Sequence, residues 1–389
     1  MRLTKKSSLV LTAAFTIMLA ASCKKNDNDG GTTPTPADPL AALNLPATPF
    51  NYASPVLPPY YLAPNIAGTD NTPANNGVTD WGATLGRVIF YDKSLSLNNT
   101  VACASCHKQE LSFTDNVALS VGFNGQHTGR NSMSLANARY YQNGRFFWDQ
   151  RANSLETQVL MPIQDSKEMG MVLPDVIGRL QSKAHYPTLF KNAFGDTSIT
   201  TDRVSKALAQ FVRAMVSTNS KFDVGRSSIT PPANPVNTPY PNFTAEENLG
   251  KQLFFGPLTA CATCHGTEAF IAPGDRNNGI ENPSVDLGVG GFTGNAVQNG
   301  NFKVPSLKNV ELTAPYMHDG RFTTLEQVIE HYNSGVNAHP NLAPQLKNPD
   351  GSVKRLNLTA TEKAALVAFL KTLTDRNITT DVKFSNPFR

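Results

Sequence analysis

A five-residue pattern occurs twice and sets what the rest of the chain must accommodate: Cys103-Ala104-Ser105-Cys106-His107 and Cys261-Ala262-Thr263-Cys264-His265. Cys-x-x-Cys-His is the attachment signature of c-type haem. Two thiols add to the vinyl groups on one ring edge, and the histidine turns its imidazole to the iron. The pattern predicts two covalently bound haem c groups, one on Cys103, Cys106 and His107, the other on Cys261, Cys264 and His265. A zinc site would want four clustered ligands, and these pairs stand 158 residues apart (261 − 103). A thioredoxin-like pair would want a βαβ context that the sequence lacks, and would leave both histidines unexplained.

The N-terminus reads as an export signal over residues 1–22. Arg2, Lys5 and Lys6 precede an apolar run from Leu9 to Ala21, short for a spanning helix and suited to a secretory leader. Leu19-Ala20-Ala21-Ser22 before Cys23 resembles a lipoprotein signal, which predicts a lipid anchor on Cys23 and a place in the periplasm or cell envelope. Ordinary leader cleavage, leaving a stray thiol, is the alternative. Five cysteines divide into that one and two haem pairs, with none over for a disulfide. The formal charge of +4 falls to +1 when the three leader cations go (31 basic against 30 acidic). No basic patch argues for nucleic acid.

Residues 23–78, rich in Asn, Asp, Gly, Thr and Pro, read as a tether and extended arm. Ordered sequence is expected from near Trp81. Leu85-Gly86-Arg87-Val88-Ile89-Phe90 before the first motif and Leu249-Gly250-Lys251-Gln252-Leu253-Phe254 before the second form an internal repeat: apolar helix, turn, haem motif. Capping boxes at Thr244–Glu247 and Thr359–Glu362 predict helix starts. Val204, Leu208, Phe211, Val212 and Met215 make a helical stripe, and Leu366, Phe369, Leu370 and Leu373 another. Strand signals are few. The expectation is a mainly α fold: a cytochrome c-like domain over 79–225, a proline-rich linker over 226–243, and a second such domain over 244–389.

Further motifs follow in order: Thr128-Gly129-Arg130-Asn131-Ser132, Phe146-Phe147-Trp148-Asp149-Gln150-Arg151-Ala152, Leu155-Glu156-Thr157-Gln158, Pro162-Ile163-Gln164, Glu168-Met169 and Leu312 to Gly320. With the haem motifs they make the chain resemble the bacterial di-haem cytochrome c peroxidases and MauG, from about Leu85 to Leu373. The resemblance implies that the first haem reacts with hydrogen peroxide and the second exchanges electrons with a donor, a small cytochrome or cupredoxin. It gives Glu168 the acid–base role: a proton must pass from the inner to the outer peroxide oxygen before the O–O bond breaks, and one carboxylate within reach of both can carry it. Gln158 is implied as its polar partner, and Trp148 as an oxidisable ring between the haems. Read without the resemblance, Glu168 is a solvated helix charge and Trp148 a core aromatic. Asn131, Thr313 and Pro315 match positions that hold a calcium ion through oxygen ligands. Relatives often form homodimers.

Two departures from the family pattern matter. The histidine that caps the resting first haem in many members falls, by a gapless count from His107 to Asn131, on Phe123; His127 is the nearby alternative. On the second haem, peroxidases commonly use methionine, whereas the matching position here is Tyr332, as in MauG, with His331 competing. The leading reading is therefore a peroxidase reducing hydrogen peroxide with electrons from an external donor. MauG-like oxidation of a protein or organic substrate, and a di-haem electron carrier without chemistry of its own, are the alternatives.

Overall fold

Threonines start the helices that organise the molecule. Thr79 Oγ1 accepts from the amide of Gly82 (3.0 Å) to open Asp80–Tyr91, and Thr200 caps Thr201–Ala214 in the same way. The expected capping boxes form at both later sites: Thr244 with Glu247 opens Ala245–Phe255, and Thr359 with Glu362 opens Ala360–Lys371. The computed structural model describes residues 38–230, 234–267 and 269–389. The leader, Cys23 and most of the tether lie outside the described residues. Residues 39–389 form one compact unit. No helix among the described residues is long and apolar enough to cross a membrane.

The internal repeat becomes a repeated helix crossing. Helix Asp80–Tyr91 packs on Thr201–Ala214, and helix Ala245–Phe255 packs on Ala360–Lys371. Both crossings are made at a glycine. A Cβ on Gly86 would run into the carbonyl oxygen of Ala207, and one on Gly250 into that of Ala365. Four residues after each glycine a phenylalanine closes the same contact. Phe90 meets Phe211 with ring centroids 5.4 Å apart, and Phe254 meets Phe369 at 5.1 Å. Such pairs add about 0.5–1.5 kcal/mol beyond the area they bury. The predicted stripes are the buried faces of these helices, with Met215 and Leu373 buried just beyond the helix ends.

Two hydrophobic cores result, one around each crossing, but the sequence boundaries do not separate them. The expected arm contributes Tyr52, Tyr60, Tyr61 and Ile66 to the first core, because its tyrosines have apolar ring faces to bury. Ordered packing thus starts well before Trp81. At the other end Ile378 and Phe384, assigned from sequence to the second half, also lie in the first core. Arg87 Nε donates to the Ser385 carbonyl (2.6 Å), and the Tyr91 hydroxyl donates to that of Phe384 (2.7 Å). Conversely Phe222 belongs to the second core. Within the proline-rich stretch, the Lys251 ammonium donates to the carbonyls of Pro235, Val236 and Thr238, each at 2.8 Å, which fastens that segment to the second crossing. Among the described residues the only strands longer than a single bridge are two residues each: Asp275–Arg276 pairs antiparallel with Phe302–Lys303.

Candidate haem cavities

The first motif forms one helical turn, Cys103–Cys106, followed by His107. His107 Nδ1 lies 2.8 Å from the Phe113 carbonyl. Since a carbonyl only accepts, Nδ1 carries the proton, and Nε2 keeps the lone pair a metal ligand needs. Burial lowers the basicity of this ring and pushes that of His265 down to about 4, so both imidazoles are neutral. The His265 ring is buried near the backbone of Phe270 and Pro305. The four motif cysteines are free thiols. Neutral imidazoles beside paired thiols, each set opening on a cavity, are the donor groups that haem c requires.

One cavity is lined by Cys106, His107, Phe147, Trp148, Arg151, Gln158 and Glu168. Glu168, Gln158 and Trp148 are thus brought together with the first haem motif. Gln158 ends the turn Leu155–Gln158, which Ser154 caps. Glu168 sits in a loop organised by Asp165, whose side chain accepts the Lys167 amide (2.8 Å) and whose carbonyl accepts those of Glu168 (3.1 Å) and Gly170 (2.9 Å). Burial first, and the charge of Asp165 second, push the Glu168 carboxyl up to about 7, against the opposing pull of Arg151. A carboxyl balanced near neutrality can both take and return a proton.

The second cavity holds Cys261, Cys264, His265 and Tyr332 among apolar neighbours such as Phe254, Leu325, Ile329 and Leu366. Helix Leu325–Glu330 loosens into a π-helical turn over His331–Gly335, a geometry common at functional sites. The two candidates part there. His331 Nε2 is engaged with the Asn278 carbonyl (3.0 Å), while Tyr332 faces the cavity, its phenol pushed up to about 12 by burial. Met317 also lines this cavity, its sulfur accepting from Asn278 Nδ2 at 3.5 Å.

Trp148 lines both cavities. Its Nε1 donates to the Asn131 carbonyl (2.9 Å), and its ring meets Phe302 and His318 edge-on, with centroids 6.4 Å away in each case. Asn131, Thr313 and Pro315 all border the second cavity. The Asn131 carbonyl accepts from Trp148, and its side-chain amide donates to the carbonyls of Val117 (3.2 Å) and Ala118 (3.1 Å), with no hydrogen bond to Oδ1 among the described residues.

Phe123 and His127 line neither cavity. His127 is exposed, with Nδ1 3.2 Å from the Leu119 carbonyl. Phe123 packs its ring on Gly170 and donates its amide to the Glu168 carbonyl (2.9 Å), so it braces the loop that carries Glu168. Sequence reasoning missed Phe302 and Lys303 in the wall between the cavities. Their alternation within an isolated pair of residues is too short a signal to read as a strand.

The family described as di-haem cytochrome c peroxidase matches residues 81–227 and 244–382. The methylamine utilization protein MauG of Methylorubrum extorquens is 34% identical over 307 residues, covering 77% of this chain and 80% of that one. The cytochrome c551 peroxidase of Nitrosomonas europaea is 32% identical over 300 residues, covering 75% and 79%. Among solved structures, a MauG-like protein associated with microbial copper homeostasis superposes with a TM-score of 0.71 at 32% identity, covering 82% of this chain and 97% of that one.

Proposed function

The chain belongs to the di-haem cytochrome c peroxidase family, and from that premise we propose that it reduces hydrogen peroxide to water in the first cavity, with electrons from an external donor arriving through the second. The two cores are read as two cytochrome c-like halves. Cys103, Cys106 and His107 would hold the first haem, and Cys261, Cys264 and His265 the second, with Tyr332 as its far ligand. Haem iron supplies the redox chemistry when bound.

The observation that carries the reading is that Glu168 and Gln158 line the same cavity as His107, where burial raises the Glu168 carboxyl to about 7. Glu168 would take the proton from the inner peroxide oxygen and return it to the outer one, so that the O–O bond breaks with the outer oxygen leaving as water; two electrons from the donor and two protons from solvent would turn the other oxygen into the second water. Gln158 orients that exchange as a neutral hydrogen-bonding neighbour. Trp148, in the wall of both cavities, offers a π-system between donor side and peroxide side. A site for electron transfer alone has no use for such an acid–base pair. The donor is a small cytochrome or a cupredoxin, the setting the periplasm with a lipid on Cys23, the assembly a homodimer, and calcium the ion at Asn131, Thr313 and Pro315; all four belong to the proposal. Tyr332 facing the second cavity favours, as a second reading, oxidation of a protein or organic substrate in the manner of MauG. Steady-state turnover with peroxide and a reduced small cytochrome tests the first reading: it should be fast and fall in Glu168→Gln. Equal rates in the two proteins would overturn it.

A further inference from the structure

A lysine is buried in the wall between the cavities with no protein anion against it. Lys303 is 3% exposed, and among the described residues no carboxylate lies within 4 Å of its ammonium. Its Nζ lies 2.7 Å from the centroid of the Tyr141 ring and 5.1 Å from that of Phe146. The Tyr141 hydroxyl is held by the Ser306 amide (2.8 Å), so the ring beneath the lysine is fixed.

These contacts say which way the side chain points. Tyr141 and Phe146 line the first cavity and not the second. Successive strand residues face opposite ways. Phe302 stacks on His318 at 3.8 Å on the second-cavity side; Lys303, its neighbour, borders both cavities, and its ammonium lies against the Tyr141 and Phe146 rings of the first. The strand is fixed in that register by its pairing with Asp275–Arg276 and by the Lys303 amide, which donates to the Trp148 carbonyl (2.8 Å).

The other cations at the first cavity are accounted for. Arg130 bridges Asp149 and Asp286, and Arg151 chelates Asp149. Lys167 is exposed. Elsewhere, buried Lys308 pairs with Asp223, and Lys251 has three carbonyls. A ring face only partly replaces the water an ammonium loses, so a buried lysine without an anion is neutral or awaits one. Burial alone pushes Lys303 well below its ordinary range. Haem c carries two carboxylates of its own, the propionates.

We propose that Lys303 binds a propionate of the haem in the first cavity, so that a residue from the second half of the chain anchors the cofactor of the first. The inference rests on the di-haem reading. A cation beside a haem disfavours the ferric form, which carries one more positive charge than the ferrous.

The test uses the haem-loaded full chain, wild type beside Lys303→Met and Lys303→Arg. Haem is counted after denaturation, and each haem is titrated spectroscopically against redox potential. Lys303→Met should keep two haems and shift the first haem's ferric-to-ferrous ratio about tenfold toward ferric at fixed poise, a fall of about 59 mV for one electron. Lys303→Arg should stay near wild type. Two haems with an unmoved first potential, or a shift confined to the second, would overturn the inference and leave the di-haem reading standing; a wild type without covalent haem would overturn both. If Lys303→Met fails to fold, a crystal structure of the wild type decides: Nζ at hydrogen-bond distance from a first-haem propionate supports the proposal, and a propionate turned away from it overturns it.

Discussion

The two haem-motif halves share one construction and differ where chemistry would occur. Each has a helix crossing closed by glycine, alanine and two phenylalanines: Gly86, Ala207, Phe90 and Phe211 in one, Gly250, Ala365, Phe254 and Phe369 in the other. Beyond the proximal histidine they part. The first cavity presents Glu168, Gln158 and Arg151 on loops and short turns; the second presents Tyr332 from a π-helical turn amid apolar side chains. The histidines sit alike, His107 Nδ1 against the Phe113 carbonyl and His265 near the backbone of Phe270 and Pro305. On the proposed reading the shared scaffold would hold the cofactor, and the loops opposite it would set whether that face is reactive or closed.

The bluntest way to break the comparison is to remove one motif. Cys261→Ala with Cys264→Ala should leave one covalent haem of two, counted by mass after denaturation, with the first haem's spectrum retained. Loss of both would mean that the halves do not bind haem separately.

Next in size is the acid–base group. Glu168→Gln should keep both haem spectra and lose about 10²–10⁴-fold in peroxide turnover, the scale of a general acid–base catalyst. The proton acceptor must be the carboxylate, and its pKa is raised to about 7. Wild-type turnover should therefore rise with pH through about 7 and fall below it, and the variant should lose that limb. A Glu168→Gln profile that keeps the same limb would assign it to another group.

On the second side Tyr332→Phe should abolish the six-coordinate signature of one haem and spare the other. The geometry favours Tyr332 because His331 is committed to the Asn278 carbonyl. If magnetic resonance of the ferric protein changes only in His331 variants, the assignment is wrong.

What was legible follows from what is local. Capping boxes and helical stripes depend on residues a few positions apart, and they form as read. The clustering of Glu168, Gln158 and Trp148 was reached through motif order. The boundaries near 78 and 243 do not mark the cores, because burial of Tyr52 against Phe211 and Phe384 is a long-range event without local periodicity. Lys303 was invisible for the same reason: its meaning lies in Tyr141, far away in sequence.

The repeat itself can be sharpened by adding one methyl group to each half. Gly86→Ala and Gly250→Ala should each cost about 1–3 kcal/mol by forcing the helices apart, read from thermal unfolding of the haem-loaded protein. Similar losses would confirm equivalent crossings. A neutral Gly250→Ala would show that only the first is tight.

The smallest expected effect carries the claim that the first cavity is open. The family resemblance implies that a capping histidine, where present, must leave the resting haem before peroxide can enter. Here the matching position is Phe123, whose ring rests on Gly170 and whose side chain has no donor for iron. His127, the alternative, is exposed, paired with Val121 across a turn, and it lines neither cavity. His127→Ala should therefore change nothing: stability within about 0.5 kcal/mol, as for a surface substitution, and the same high-spin signal from the first haem of the fully ferric protein. Peroxide turnover should start without prior reduction in both proteins. A low-spin resting enzyme that turns high-spin in His127→Ala would place that imidazole on the iron. The turn bearing it would then have to fold inward past Phe123 and disturb the amide that Phe123 gives to the Glu168 carbonyl, so the same swing that closed the site would also unseat its acid–base group.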